Sequence, residues 1–233
     1  MEAMLPKPNL GNVKYVESYD FKQPKLFSKE IMTSLHTIHD VFSRNLGRIF
    51  SSSLRYKVDV SLQKVDQLSS TEFIQGIKSP STIYTLSVDS LGGEIIVVLP
   101  PEFCIHLITR QSGGTDREIS ERRVLTVIEE KIISRIMSTI NNEITMAWEP
   151  YVDIKIDSST YQSKPENLHL TSVDPNIVVK FLVDLGEEKL ELMVSYSYSF
   201  LKKAMNDTIM RKGMNSSKER LSEEEMEAYQ RTI

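Results

Sequence analysis

His36, His39 and Asp40 are the residues here whose types and spacing first suggest chemistry. Side chains at i, i+3 and i+4 share a helix face, and two imidazoles with a carboxylate are metal-ligating types. A complete site needs a third and a fourth donor, and the spacing brings neither His106 nor His169, the other histidines, near the pair. The plainer reading puts His36 and His39 at the edge of an apolar helix stripe. Cys104, the single cysteine, excludes an intrachain disulfide and a cysteine-based zinc site. Between Phe103 and Leu107 it reads as a small buried hydrophobe. Gly92-Gly93 and Gly113-Gly114 lack the Lys and Ser/Thr of a phosphate loop, and no Ser-His-Asp arrangement is signalled. No catalytic centre, metal or cofactor is expected.

The chain has 233 residues with 28 basic and 32 acidic side chains, a formal charge of −4. That balance argues against a general nucleic-acid binder, which needs clustered Lys and Arg to displace counterions. The composition is that of a globular protein able to bury its own core. No apolar run approaches the ~18 residues of a membrane span, and the first residues lack the basic start and apolar block of a secretory signal. A cytoplasmic protein is expected.

The elements that must position these residues read as two similar halves. Residues 1–26, with Pro6, Pro8, Gly11 and Pro24, read as an extended arm. Ser28 caps a long helix carrying Ile31, Leu35, Ile38, Phe42, Leu46 and Ile49 on one face, weakened at Ser51-Ser52-Ser53. Tyr56, Val58, Val60 and Leu62 alternate as a strand, and a helical turn or two follows over Ser70–Ile77. Strands at 82–88 and 94–99 join through Leu91-Gly92-Gly93, and Pro100-Pro101 opens a helix to Gln111.

Then the order restarts. Thr126 and Glu129 form a capping box for a helix with Ile132, Ile133, Ile136, Ile140, Ile144 and Trp148. Val152, Ile154 and Ile156 alternate as a strand; hairpin strands follow at 176–185 and 189–194, then a helix at about 198–205. Arg55–Ser61 is echoed by Tyr151–Asp157, and Val88–Glu94 by Val183–Glu188. Order, spacing and turns agree together, so the halves, about 28–111 and 124–205, predict a pseudo-two-fold α/β/α sandwich around one sheet. Residues 206–233 read as a linker and the start of a polar helix capped by Ser222 and Glu225.

The run Tyr19-Asp20-Phe21-Lys22-Gln23-Pro24-Lys25-Leu26-Phe27-Ser28-Lys29-Glu30, then Ile38-His39-Asp40, Phe42-Ser43-Arg44 and Leu125-Thr126-Val127-Ile128-Glu129, closely resembles the FliM family of flagellar motor switch proteins. The resemblance covers about residues 19–205, that family's middle domain, and implies the fold shared with CheC-type phosphatases. FliM proteins usually start with an acidic-apolar helix that captures phosphorylated CheY and end in a FliN-like domain. Neither pattern stands in this sequence, and the helix signal at Ser222 favours an excised middle domain over a reduced paralogue.

The resemblance also sets what to expect of function. CheC-type phosphatases carry Glu and, three residues later, Asn on each long helix, orienting water towards an aspartyl phosphate. The matching residues are Thr37 and Asp40, then Arg135 and Ser138. Neither pair supplies a carboxylate with a carboxamide, so a phospho-CheY phosphatase is the lesser alternative and a non-enzyme is expected. In FliM proteins the loop between the repeats reads Gly-Gly-x-Gly and helps dock FliG. Here Arg110, Gly113, Gly114, Thr115 and Asp116 occupy that stretch, with Asp116 replacing the last glycine. Exposed Lys131, Arg135 and Glu143 read as solvated surface or contacts between ring neighbours. The implied protein is a scaffold and switching subunit of the flagellar C-ring at the inner face of the membrane. Its implied partners are FliG and neighbouring copies, with FliN and phospho-CheY reached through segments outside this chain.

Overall fold

The computed structural model describes residues 27–114, 121–170 and 175–206. Its elements run α1 (Lys29–Leu54), β1 (Asp59–Leu68), α2 (Ser70–Gly76), β2 (Thr82–Val88), β3 (Gly93–Leu99), α3 (Pro101–Gln111), α4 (Val127–Trp148), β4 (Ser158–Gln162), β5 (Asn176–Asp184) and β6 (Lys189–Tyr196). Helix α5 follows at 198–206. Short 3-10 turns lie at Asp89–Leu91 and Pro165–Asn167.

All strands join one antiparallel sheet of order β1-β5-β6-β3-β2-β4. Exchanging β1 with β4, β2 with β5 and β3 with β6 reproduces that order reversed. The sheet therefore has the pseudo-two-fold symmetry the repeats predict. Its centre lies in the β3–β6 pair, where Val97 stands opposite Val194.

The long helices obey the same relation. Asn45 and Glu143, 98 residues apart, meet across the α1–α4 contact. The same offset relates the caps Ser28 and Thr126, each accepting a backbone N–H from its helix's first turn. It also carries buried Leu35, Ile38, His39, Phe42, Leu46 and Phe50 onto buried Ile133, Ile136, Met137, Ile140, Ile144 and Trp148. Phe50 meets Phe103 edge to face at 4.8 Å, as Trp148 meets Phe200 at 5.2 Å.

Strand alternation explains the layers. Tyr84, Leu86, Ile95, Val97, Val179, Phe181, Val194 and Tyr196 point into the core beneath α1, α3, α4 and α5. Their neighbours Ile83, Ile96, Val98, Val178 and Met193 point the other way, onto Phe73 and Ile77 of the α2 segment and Leu168. Both faces of the central strands are thus covered, which is why they read as unbroken apolar runs. Each fully buried side chain of this size contributes about 1.5–3 kcal/mol.

Three expectations need correction. Helix α1 continues through Ser51–Ser53 to Leu54, because Ser51 Oγ is bonded by the Val58 N–H at 2.9 Å and Arg55 ends the helix with φ 60°. The first strand starts at Asp59 and runs to Leu68, its alternation broken by a bulge between Leu62 and Lys64. Residues 152–156 form no strand, although Val152 and Ile154 are buried; the ladder with β2 begins at Ser158. Alternating burial there seats side chains in the core without a neighbouring strand to pair with. The arm at 1–26 and the tail at 207–233, including Ser222 and Glu225, lie outside the described residues.

Candidate docking site

The connector between repeats is built from the end of α3. Gly114 N–H donates to Thr109 O at 2.9 Å and Gly113 N–H to Arg110 O at 3.2 Å. This is the paired bonding of a Schellman cap, which needs a left-handed residue just past the helix. Gly113 supplies it with φ +95°. A Cβ on Gly114 would lie 2.9 Å from the carbonyl oxygen of Thr109, so backbone approach demands glycine there too. The glycine pair is first of all a helix terminator that holds the connector's first residues in a set direction.

Arg110 fixes that geometry from the side. Its Nε donates to Leu54 O at 3.1 Å and its Nη1 to Gly114 O at 3.0 Å. The guanidinium lies 5.7 Å from the centre of the Tyr56 ring, whose hydroxyl bonds His106 Nε2 at 2.9 Å. Burial, then the Arg110 charge, holds His106 below its ordinary pKa. The end of α1, the end of α3 and the connector are thereby tied together. Thr115 and Asp116 lie outside the described residues.

The connector's far end is anchored independently. Arg122 donates to Pro80 O at 2.7 Å and pairs with Glu102 at 2.6 Å. Arg123 forks onto Glu129, whose carboxylate also accepts the Thr126 N–H at 2.7 Å; those bonds hold the Glu129 pKa down at about 2. Beyond this anchor Val127 and Ile128 are 70% and 73% exposed. In the sequence they stand only in the Leu125–Glu129 run of the family resemblance, and nothing there singles them out as exposed. Subtracting 98 would have found them, because the equivalent residues on α1 are Lys29 and Glu30.

The residues weighed for catalysis are separated or already bonded. His36 is exposed, whereas His39 is wholly buried in the core, not at its edge. A carbonyl can only accept, so His39 Nδ1 donates to Leu35 O at 2.7 Å. Its Nε2 then accepts from the Tyr196 hydroxyl at 2.7 Å, and that oxygen accepts Trp148 Nε1–H at 3.4 Å. Burial pushes the His39 pKa down to about 4. At the positions of a phosphatase motif, Thr37 bonds Thr33 O at 3.1 Å, Ser138 bonds Ser134 O at 3.0 Å, and Asp40 pairs with Arg44.

Cys104 is fully buried, and burial pushes its thiol up to about 12, which suppresses the thiolate. Among the described residues no group of three or more His, Cys, Asp or Glu side chains could hold a metal ion. A cavity of about 350 Å³ lies beside Glu102, Arg122, Lys189 and Met193, and one of about 280 Å³ beside Thr85, Ser87, Glu94 and Thr160. Glu143, expected as solvated surface, instead accepts the Asn45 amide at 2.9 Å.

An antiparallel six-stranded sheet with paired long helices related by a pseudo-two-fold is the fold of a FliM middle domain. It superposes on the chain in the crystal structure of a FliG–FliM complex from H. pylori with TM-score 0.71, at 24% identity, covering 77% of this chain and all of that one. The FliM middle domain of Vibrio alginolyticus gives TM-score 0.64 at 18% identity, over 75% and 99% of the two chains. The family model "Flagellar motor switch protein FliM" matches residues 28–212, and the chain belongs to that family. Curated FliM proteins of Borreliella burgdorferi and Bacillus subtilis are 33% and 31% identical over 82% and 75% of this chain. It spans about half the length of the relatives it matches, 54% and 53% for these two.

Proposed function

We propose that this chain is a scaffold and switching module of the flagellar rotor, docking a FliG partner through its inter-repeat connector and packing beside copies of itself. The observation that carries the reading is the connector's construction. A Schellman cap with the Arg110 clamp fixes the chain up to Gly114, and the Arg122 anchor fixes it again beyond residue 121, at the junction of the two repeats. Flanks that are already fixed lower the ordering cost of docking a partner between them. The docking residues are Arg110, Gly113, Gly114, Thr115 and Asp116, with Arg110 acting by positioning the loop. Val127 and Ile128 add apolar surface at its far end.

Residues 27–205 act as one unit, and the arm and linker read from the sequence at 1–26 and 206–233 are not needed for it. The role is mechanical, not enzymatic. Thr37 and Ser138 spend their hydroxyls on their own helices, and neither Thr37 with Asp40 nor Arg135 with Ser138 supplies a carboxylate with a carboxamide. Among the described residues no helix is long and apolar enough to cross a membrane. That suits a cytoplasmic location at the basal body, with FliN and phospho-CheY as partners of a complete rotor subunit.

Calorimetric titration with a FliG middle domain tests this. Wild type should bind saturably, Asp116→Lys should weaken binding at least tenfold, and Gly114→Arg should abolish it. Asp116→Lys isolates the surface effect, because Gly114→Arg also breaks the α3 cap. A folded wild type that does not bind, or Asp116→Lys binding like wild type, overturns the assignment.

A further inference from the structure

The pseudo-symmetry breaks sharply beneath the start of the second long helix. Tyr84 pairs with Val97 on one side and Tyr161 on the other. In the second repeat Val179 pairs with Val194 and with Val65. Tyr84 and Tyr161 thus occupy the positions that Val179 and Val65 fill in the other half. Above them the helix residue changes in the same sense. Glu130 of α4 stands 98 residues after Met32 of α1, which packs against the core. One half places Met, Val and Val at these equivalent positions; the other places Glu, Tyr and Tyr.

The phenols have nothing to bond. Tyr84 is 3% exposed, its ring centre 5.5 Å from that of Tyr161, and both hydroxyl oxygens are buried without a hydrogen-bond partner. Burial, together with the nearby Glu130 charge among other causes, raises both phenol pKa values, so they remain protonated donors. A buried hydroxyl without a partner has given up its bonds to bulk water and gained none in return. Two such groups side by side, with the Glu130 charge near enough to act on both, need a small molecule that accepts from phenols and donates to carboxylate. Water does both, and buried water sits where two to four polar groups converge.

We propose that ordered water fills the seam between β2, β4 and the first turns of α4, so that this helix start rides on bridged hydrogen bonds where α1 is packed dry. The start of α4, which follows the connector, is therefore the more compliant end of the helix pair. This assignment is independent of what docks at the connector.

A crystal structure fine enough to show ordered solvent tests it directly. Water within hydrogen-bond distance of Tyr84 Oη and Tyr161 Oη is expected; hydroxyls without water, or bonded straight to each other, overturn the proposal. Amide exchange on the whole chain supplies a second readout, comparing residues 131–136 with their equivalents 33–38. The α4 stretch should exchange at least threefold faster in wild type. The double variant Tyr84→Phe with Tyr161→Phe should remove most of that difference while 33–38 stays unchanged. Equal exchange in wild type, or both stretches speeding up together in the variant, overturns the proposal.

Discussion

His39 Nε2 and the Tyr196 hydroxyl lie 2.7 Å apart in the core, joining the first long helix to the last strand across 157 residues. The positions related to these by the pseudo-two-fold hold Met137 and Leu99, an apolar pair. A buried polar chain stabilises only when every member is satisfied, and here Leu35 O, His39, Tyr196 and Trp148 complete one another.

That chain makes stability depend on pH. The folded pKa of His39 is lowered from 6.5 to about 4. The unfolded chain therefore binds more protons in that window, and stability falls as pH drops through it, flattening below the folded value. The loss should be roughly 3 kcal/mol, from about 1.4 kcal/mol per pKa unit. Urea unfolding across pH 7 to 4 measures it. His39→Met, copying Met137, should remove this part of the slope, and an unchanged slope would refute the assignment.

Truncating the imidazole should be severe. His39→Ala leaves a cavity and orphans the Tyr196 hydroxyl, so a cost of about 3–5 kcal/mol is expected. Chemical denaturation measures it, and a loss below about 1 kcal/mol would contradict the buried network.

The two connector glycines should respond differently to alanine. Gly113 has open space around it but φ +95°, so Gly113→Ala should cost about 1 kcal/mol. Gly114→Ala places a methyl 2.9 Å from Thr109 O and should cost more. Thermal melts rank the pair, and the reverse order would discredit the cap geometry.

The second helix should depend on its box. Thr126→Ala removes the acceptor for Glu129 N–H at 3.3 Å and should destabilise by about 1 kcal/mol. Because the Glu129 pKa is held near 2, its contribution is complete above its ordinary 4.5 and fades as pH falls towards 2. Melts at pH 7 and pH 3 should show that loss, and it should shrink in Arg123→Gln.

The Asn45–Glu143 contact should act as a pair. A double-mutant cycle with alanine should give a coupling of about 1 kcal/mol, as for a hydrogen bond to a charged group at a partly buried helix interface. Independent additive effects would show that the helices are held by their apolar faces alone.

The sequence by itself determined the long helices, the hairpin strands and their duplication. Helical spacing at Leu35, Ile38 and Phe42, the boxes and caps at Ser28 and Thr126, and the glycines of the turns are local signals. Their physical causes reach only a few residues along the chain. The repeated order then dictated the sheet's pseudo-symmetry, because like halves bury like faces. Tertiary structure decided what local pattern cannot encode. His39 and Met137 sit at equivalent helix positions, yet only His39 finds a phenol, supplied from 157 residues away. Val152 and Ile154 alternate like a strand, but a strand exists only where a neighbour offers its backbone, and β2 begins pairing at Ser158. Spacing within one helix does not separate the exposed Ile128 from the buried Ile133, and only comparison between the repeats hints at it. Exposure is a property of what packs alongside, which is settled only when both repeats close around the same sheet.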